Sequence, residues 1–132
     1  MQTTWVIAAD SGRARIFQMQ EPDLHLEEIE DMVNPAGRDV EPESAPDERR
    51  RMEAPVAADT EQFSRRLGYF LDQAYLEHRF DRLCVIAPPR FLGLIRDCLG
   101  QQVQQSVDEE IAKDLAWFDD QAIEHYLRQH QH

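Results

Sequence analysis

Trp5, Val6, Ile7, Ala8 and Ala9 form an unbroken apolar run that stops at Asp10, Ser11 and Gly12. A run of this kind reads as a strand buried on both faces. Asp-Ser-Gly is turn chemistry, with Gly12 free to adopt a positive φ. The chain then alternates. Arg13, Arg15, Phe17 and Met19 fall on one side, and Ala14, Ile16 and Gln18 on the other. The chain therefore opens with a hairpin whose first strand is central in a sheet.

The remaining pattern completes the fold class. Leu24 to Met32 predicts a third strand, although Ile29 breaks its period of two. Asp59 followed by Gln62 resembles a capping box. Phe63, Leu67, Phe70, Leu71 and Ala74 then give the stripe of an amphipathic helix, with His78 and Arg79 expected in its last turn. Leu83 to Ala87 predicts a second doubly buried strand, and Pro88 and Pro89 suit the start of the next helix. That helix carries Phe91, Leu92, Ile95 and Leu99 inward, with Gly100 as its expected stop. Val103, Gln105 and Val107 suggest a short last strand, and a final helix is expected over about 119–129.

The order β-β-β-α-β-α-β-α predicts one α/β domain over residues 1–132, a three-layer sandwich around a mixed five-stranded sheet. It is the element order of ribonuclease H-like folds and of the middle domain of archaeal and eukaryotic peptide-chain release factors. The strands at about 4–10 and 82–87 should lie at its centre. Residues 34–58 stand apart, with four of the chain's seven prolines and no aromatic residue. Such a composition predicts a mobile loop, because too little apolar surface is available to offset the ordering entropy.

Charge and composition narrow the function. The net charge of −12 repels nucleic acid unless the few cations are gathered in one place. The longest apolar stretch is far too short for a membrane span, and the N-terminus has no basic segment leading an apolar one. These features predict a cytoplasmic location. Cys84 and Cys98 lie in apolar runs without metal-ligand spacing and read as buried thiols.

Three motifs carry a family resemblance. They are Trp5 to Phe17, Ala87 to Arg96 (Ala-Pro-Pro-Arg-Phe-Leu-Gly-Leu-Ile-Arg) and Glu110 to Leu115. In this order they resemble the bacterial host attachment protein family over nearly the whole chain. That family looks related to the release-factor middle domain. The resemblance implies a role in attachment or translation and prescribes no chemistry.

Catalytic readings fare poorly on the residues themselves. A two-metal nuclease site needs carboxylates meeting at strand ends. Asp10 stands where such a site begins, but Ala87 and Pro88 occupy the place of a second acid. Release factors hydrolyse peptidyl-tRNA through a Gly-Gly-Gln loop, and this chain's loop at the corresponding position has none. Ser11 lies in a strand-turn-strand context unlike a nucleophile elbow. No catalytic residue, metal site or cofactor is expected. The candidate anion- or RNA-binding residues are Arg13, Arg15, Arg38, Arg49, Arg50, Arg51 and Arg90, the last at a helix start. The sequence points to a non-enzymatic binding module for RNA, the ribosome or a protein partner. A hydrolase acting on peptidyl-tRNA or RNA and a structural attachment protein are the alternatives.

Overall fold

The computed structural model describes residues 3–20, 25–34 and 58–130. Arg38, Arg49, Arg50 and Arg51, the proline-rich stretch that holds them and the turn at Pro22 lie outside the described residues. The elements are β1 Thr4–Asp10, β2 Arg13–Gln20, β3 His25–Val33, α1 Ala58–Leu76 and β4 Arg82–Ala87. They continue with α2 Pro89–Cys98, α3 Gln101–Ser106, β5 Val107–Ala112 and α4 Asp120–His130.

The sheet has five strands in the order β3-β2-β1-β4-β5. The first three strands pair antiparallel, whereas β4 pairs parallel with both β1 and β5. Helices cover both faces, as the apolar β1 and β4 require. Trp5, Ile7 and Ala9 face a core layer shared with Phe63, Leu67 and Leu71 of α1 and Phe91 and Ile95 of α2. Val6 and Ala8 face the opposite layer, with Ile123 and Leu127 of α4. Each of the larger aliphatic side chains contributes roughly 1.5–3 kcal/mol by leaving water. No helix among the described residues is long and apolar enough to cross a membrane.

Several local expectations are corrected. The first hairpin needs no left-handed glycine: no described glycine has a positive φ. Asp10 makes the turn instead, its Oδ1 accepting the amides of Gly12 at 2.8 Å and Arg13 at 2.9 Å. In β3 the broken period is a bulge. Ile16 pairs with Glu30 and Phe17 with Glu28, so Ile29 is the extra residue. The bulge puts Ile29 and Met32 on the same layer as Trp5 while Leu26 stays on the other.

Helix α1 begins at Ala58, so Asp59 lies inside its first turn rather than before it. His78 and Arg79 lie beyond its end. His78 takes φ 61°, its amide donates to the Tyr75 carbonyl, and the Arg79 amide reaches the Ala74 carbonyl. This is a Schellman cap with histidine in the place usually taken by glycine.

Gly100 is not a left-handed stop for α2. It precedes α3 with φ −66°, and its amide donates to Asp72 Oδ1 at 3.0 Å. Val103 and Gln105 belong to α3, and the last strand follows them at Val107–Ala112. That strand escapes a periodicity reading because Ile111 is its one fully buried residue. Helices α1 and α2 meet closely at Gly68, where a Cβ would come within 2.6 Å of the Cys98 carbonyl oxygen. Cys84 is buried and Cys98 half-buried, and both are free thiols. Burial, with Glu109 and Asp108 nearby, pushes the Cys84 thiol up to about 12.

Candidate functional site

Two of the concave regions beside α1 bear on function. The first opens at the carboxyl ends of the parallel strands, where open α/β sheets generally hold their ligands. Asp10 closes β1, Pro88 follows β4 and Asp114 follows β5. With Ser11, Thr60, Arg90, Phe91 and Leu94 they line a crevice of about 270 Å³. The Asp10 carboxylate is committed to structure. Its Oδ1 holds the hairpin turn, and its Oδ2 accepts the Trp117 indole N–H at 2.7 Å. Among the described residues no group of three or more His, Cys, Asp or Glu side chains is placed to hold a metal ion.

Asp114 feels this environment. Partial burial and the neighbouring Asp10 charge raise its carboxyl above the usual range. A carboxyl raised by folding favours the fold below its unfolded pKa, and that contribution is lost as pH rises through the folded value. Asp114→Asn is therefore expected to raise stability slightly at pH 7 and to leave it unchanged near pH 3. Urea titrations at the two pH values check this, and equal gains at both would contradict it.

Three of the candidate arginines, Arg13, Arg15 and Arg90, are among the described residues. Arg13 forks onto Asp31 at 3.0 and 2.8 Å and lies 4.7 Å from the Trp117 ring centroid. Its guanidinium holds the Asp31 carboxyl below the usual carboxylate range. Arg15 is buried, bound to Glu28 and to the carbonyl oxygens of Ala116 and Phe118. Both are engaged in ion pairs within the fold, Arg15 buried and Arg13 partly exposed. Arg90 is exposed in the first turn of α2 and lines the crevice, as its position after Pro88 and Pro89 predicts. The start of α2 has neither a side-chain cap nor an acid in its first turn.

The second region was not singled out in the sequence. It is an open groove of about 660 Å³ between the outer face of α1 and Met32 of β3, lined also by Gln62, Arg65, Arg66, Tyr69, Phe70 and Gln73. These α1 positions recur at steps of three and four, so they share one side of the helix. Among the described residues that line the groove there is no acid, although the chain carries 26 acids against 14 bases. Arg65 makes a long contact of 3.9 Å with Glu61 on the same helix. The Arg66 guanidinium sits 5.6 Å from the Phe63 ring centroid. Tyr69 is 68% exposed. The same period that reveals the inward stripe of α1 also contains this outward one. What periodicity does not show is that β3 brings Met32 across to close the groove.

Comparison with known proteins places the chain by sequence. The family described as "Protein required for attachment to host cells" matches residues 5–127. No curated protein matches. Among solved structures, an archaeal protein is similar with a TM-score of 0.53 at 10% identity, covering 97% of this chain and 36% of that one. A Ppx/GppA phosphatase from Aquifex aeolicus is similar with a TM-score of 0.49 at 16% identity, covering 84% of this chain and 36% of that one. The chain thus spans about a third of the length of either structure. These likenesses concern the fold alone, a mixed α/β sheet with helices, and neither the ribonuclease H-like nor the release-factor label follows from them.

Proposed function

The chain belongs to the family of proteins required for attachment to host cells, and we propose that it serves as a non-enzymatic binding module whose partner is RNA. The observation that supports this most is the charge distribution. A chain of net charge −12 can hold phosphate only through a local cationic patch. The α1 groove supports such a patch, with Arg65 and Arg66 beside aromatic side chains and no acid among its described lining residues. Arg90 at the crevice is a further cation on the surface. On this reading the protein works in the cytoplasm, alone with RNA or on the ribosome.

A protein partner is the second reading, favoured by Leu76, which is 62% exposed two turns beyond Tyr69 on α1. A titration of fluorescently labelled RNA separates the two. Two arginine contacts imply that affinity falls about sevenfold between about 50 and 200 mM salt. Arg65→Ala with Arg66→Ala should remove most of that dependence. Salt-sensitive binding that survives this pair but is lost on replacing Arg49, Arg50 and Arg51 with Ala would move the contact to that segment. No binding at low salt would leave the protein-partner reading.

A further inference from the structure

The groove on α1 has a chemistry more particular than a cationic patch. Its floor is apolar, formed by Met32 and Phe70. Phe70 is braced from beneath. It stacks on Trp5 with centroids 6.3 Å apart, and the Arg79 guanidinium lies 5.7 Å from its ring and 5.1 Å from that of Trp5. The floor is therefore held in place before any ligand arrives, which lowers the ordering cost of binding. Tyr69 stands at the edge with 68% of its surface in solvent, off the helix stripe that packs into the core. A single exposed tyrosine is ordinary. One placed beside an apolar floor and two arginines, in a chain this acidic, is a different arrangement.

Resting on the RNA reading above, we infer that the groove takes an unpaired strand, with one base stacked on Tyr69 and flanking phosphates on Arg65 and Arg66. An aromatic ring accepts any base because every base has a π-face, and arginine adds both charge and a flat surface. A duplex cannot use the site in this way. Its bases are stacked inside, its phosphates would reach the arginines alone, and the apolar floor would stay uncovered. Polyglutamate could satisfy the two arginines but has no aromatic ring to stack on Tyr69. Gln62 and Gln73 lie at the two ends of the groove, eleven residues and so about 16 Å apart along the helix. That length holds about four or five bases at a spacing near 3.4 Å. The amides of the two glutamines can donate to base edges and accept from them. The site is thus expected to be short and tolerant of sequence.

The test compares a short single-stranded RNA, the duplex of the same sequence and a polyglutamate peptide, each titrated against wild type, Tyr69→Ala, Tyr69→Phe and the Arg65→Ala/Arg66→Ala pair. Tyr69 is exposed, so its variants should keep the wild-type melting temperature. The single strand should bind best. Tyr69→Ala should weaken it roughly 5- to 150-fold without changing the salt slope. Tyr69→Phe should stay within about twofold, because the ring is kept. The arginine pair should lower the slope instead. Equal binding of single strand and duplex, indifferent to Tyr69→Ala, would overturn the stacking inference and leave the RNA reading standing. So would displacement of the strand by polyglutamate at comparable concentration. Failure of every RNA to bind would overturn both.

Discussion

Arg15→Ala is expected to lower the free energy of unfolding by about 2–4 kcal/mol, a large share of the stability of a domain this size. Arg15 is only 6% exposed. Its Nε and one terminal nitrogen bind the Glu28 carboxylate at 3.3 and 2.9 Å. Its other terminal nitrogen donates to the carbonyl oxygens of Ala116, at 3.3 Å, and of Phe118. One side chain thus ties β2 and β3 to the segment that follows β5. Removing it strands the Ala116 carbonyl in the interior and leaves Glu28 without its counter-charge. Arg15→Lys should recover only part of the loss, because an ammonium cannot fork onto a carboxylate and also reach two carbonyls. Arg13→Ala provides the contrast. Its pair with Asp31 is partly exposed, with side chains 22% and 38% accessible, and surface pairs contribute about 0–1 kcal/mol. Urea denaturation of the three variants measures all of this. If Arg13→Ala and Arg15→Ala cost the same, the buried network does not hold the sheet as argued.

The same two arginines mark how far the sequence can be read. Alternation along β2 correctly puts Arg13 and Arg15 on one side. It does not show that Ala116 and Phe118, about a hundred residues away, wait to receive Arg15. Long-range closure occupies the Arg15 guanidinium within the fold. The strands β1 and β4 were legible because every interior residue is apolar and buried on one face or the other. Strand β5 was legible in its place in the order but not in its bounds, because an edge strand with Asp108, Glu109 and Glu110 has little apolar pattern to display. Gly100 misled for a related reason. A Cβ there would come within 3.2 Å of the Asp72 carboxylate, and the residue makes no left-handed turn. For the groove, the outward residues of α1 were available to the helical period. Their meaning depends on which strand lies opposite, and that is tertiary information.

Trp5→Ala should be the most damaging core substitution among the aromatic residues of this layer, at about 3–5 kcal/mol, and Trp5→Phe should cost under about 1.5 kcal/mol. Trp5 is 1% exposed, with its ring 4.9 Å from Phe80 and 6.3 Å from Phe70. Alanine would leave a cavity between β1 and the end of α1, with the Arg79 guanidinium over it. Phenylalanine keeps most of the contact area. It also removes an indole Nε1–H that is buried without a hydrogen-bond partner among the described residues, and a lone buried donor costs about 1–3 kcal/mol. The gain from losing that donor offsets much of the lost volume. A Trp5→Phe variant as unstable as Trp5→Ala would mean that the indole N–H is satisfied, for instance by a buried water. The pair of variants also reaches the binding surface. Phe70 forms the groove floor and rests on Trp5, so Trp5→Ala should weaken single-stranded RNA binding by loosening that floor, at temperatures where the variant remains folded. Trp5→Phe should leave binding close to wild type, because a ring still supports Phe70 from below.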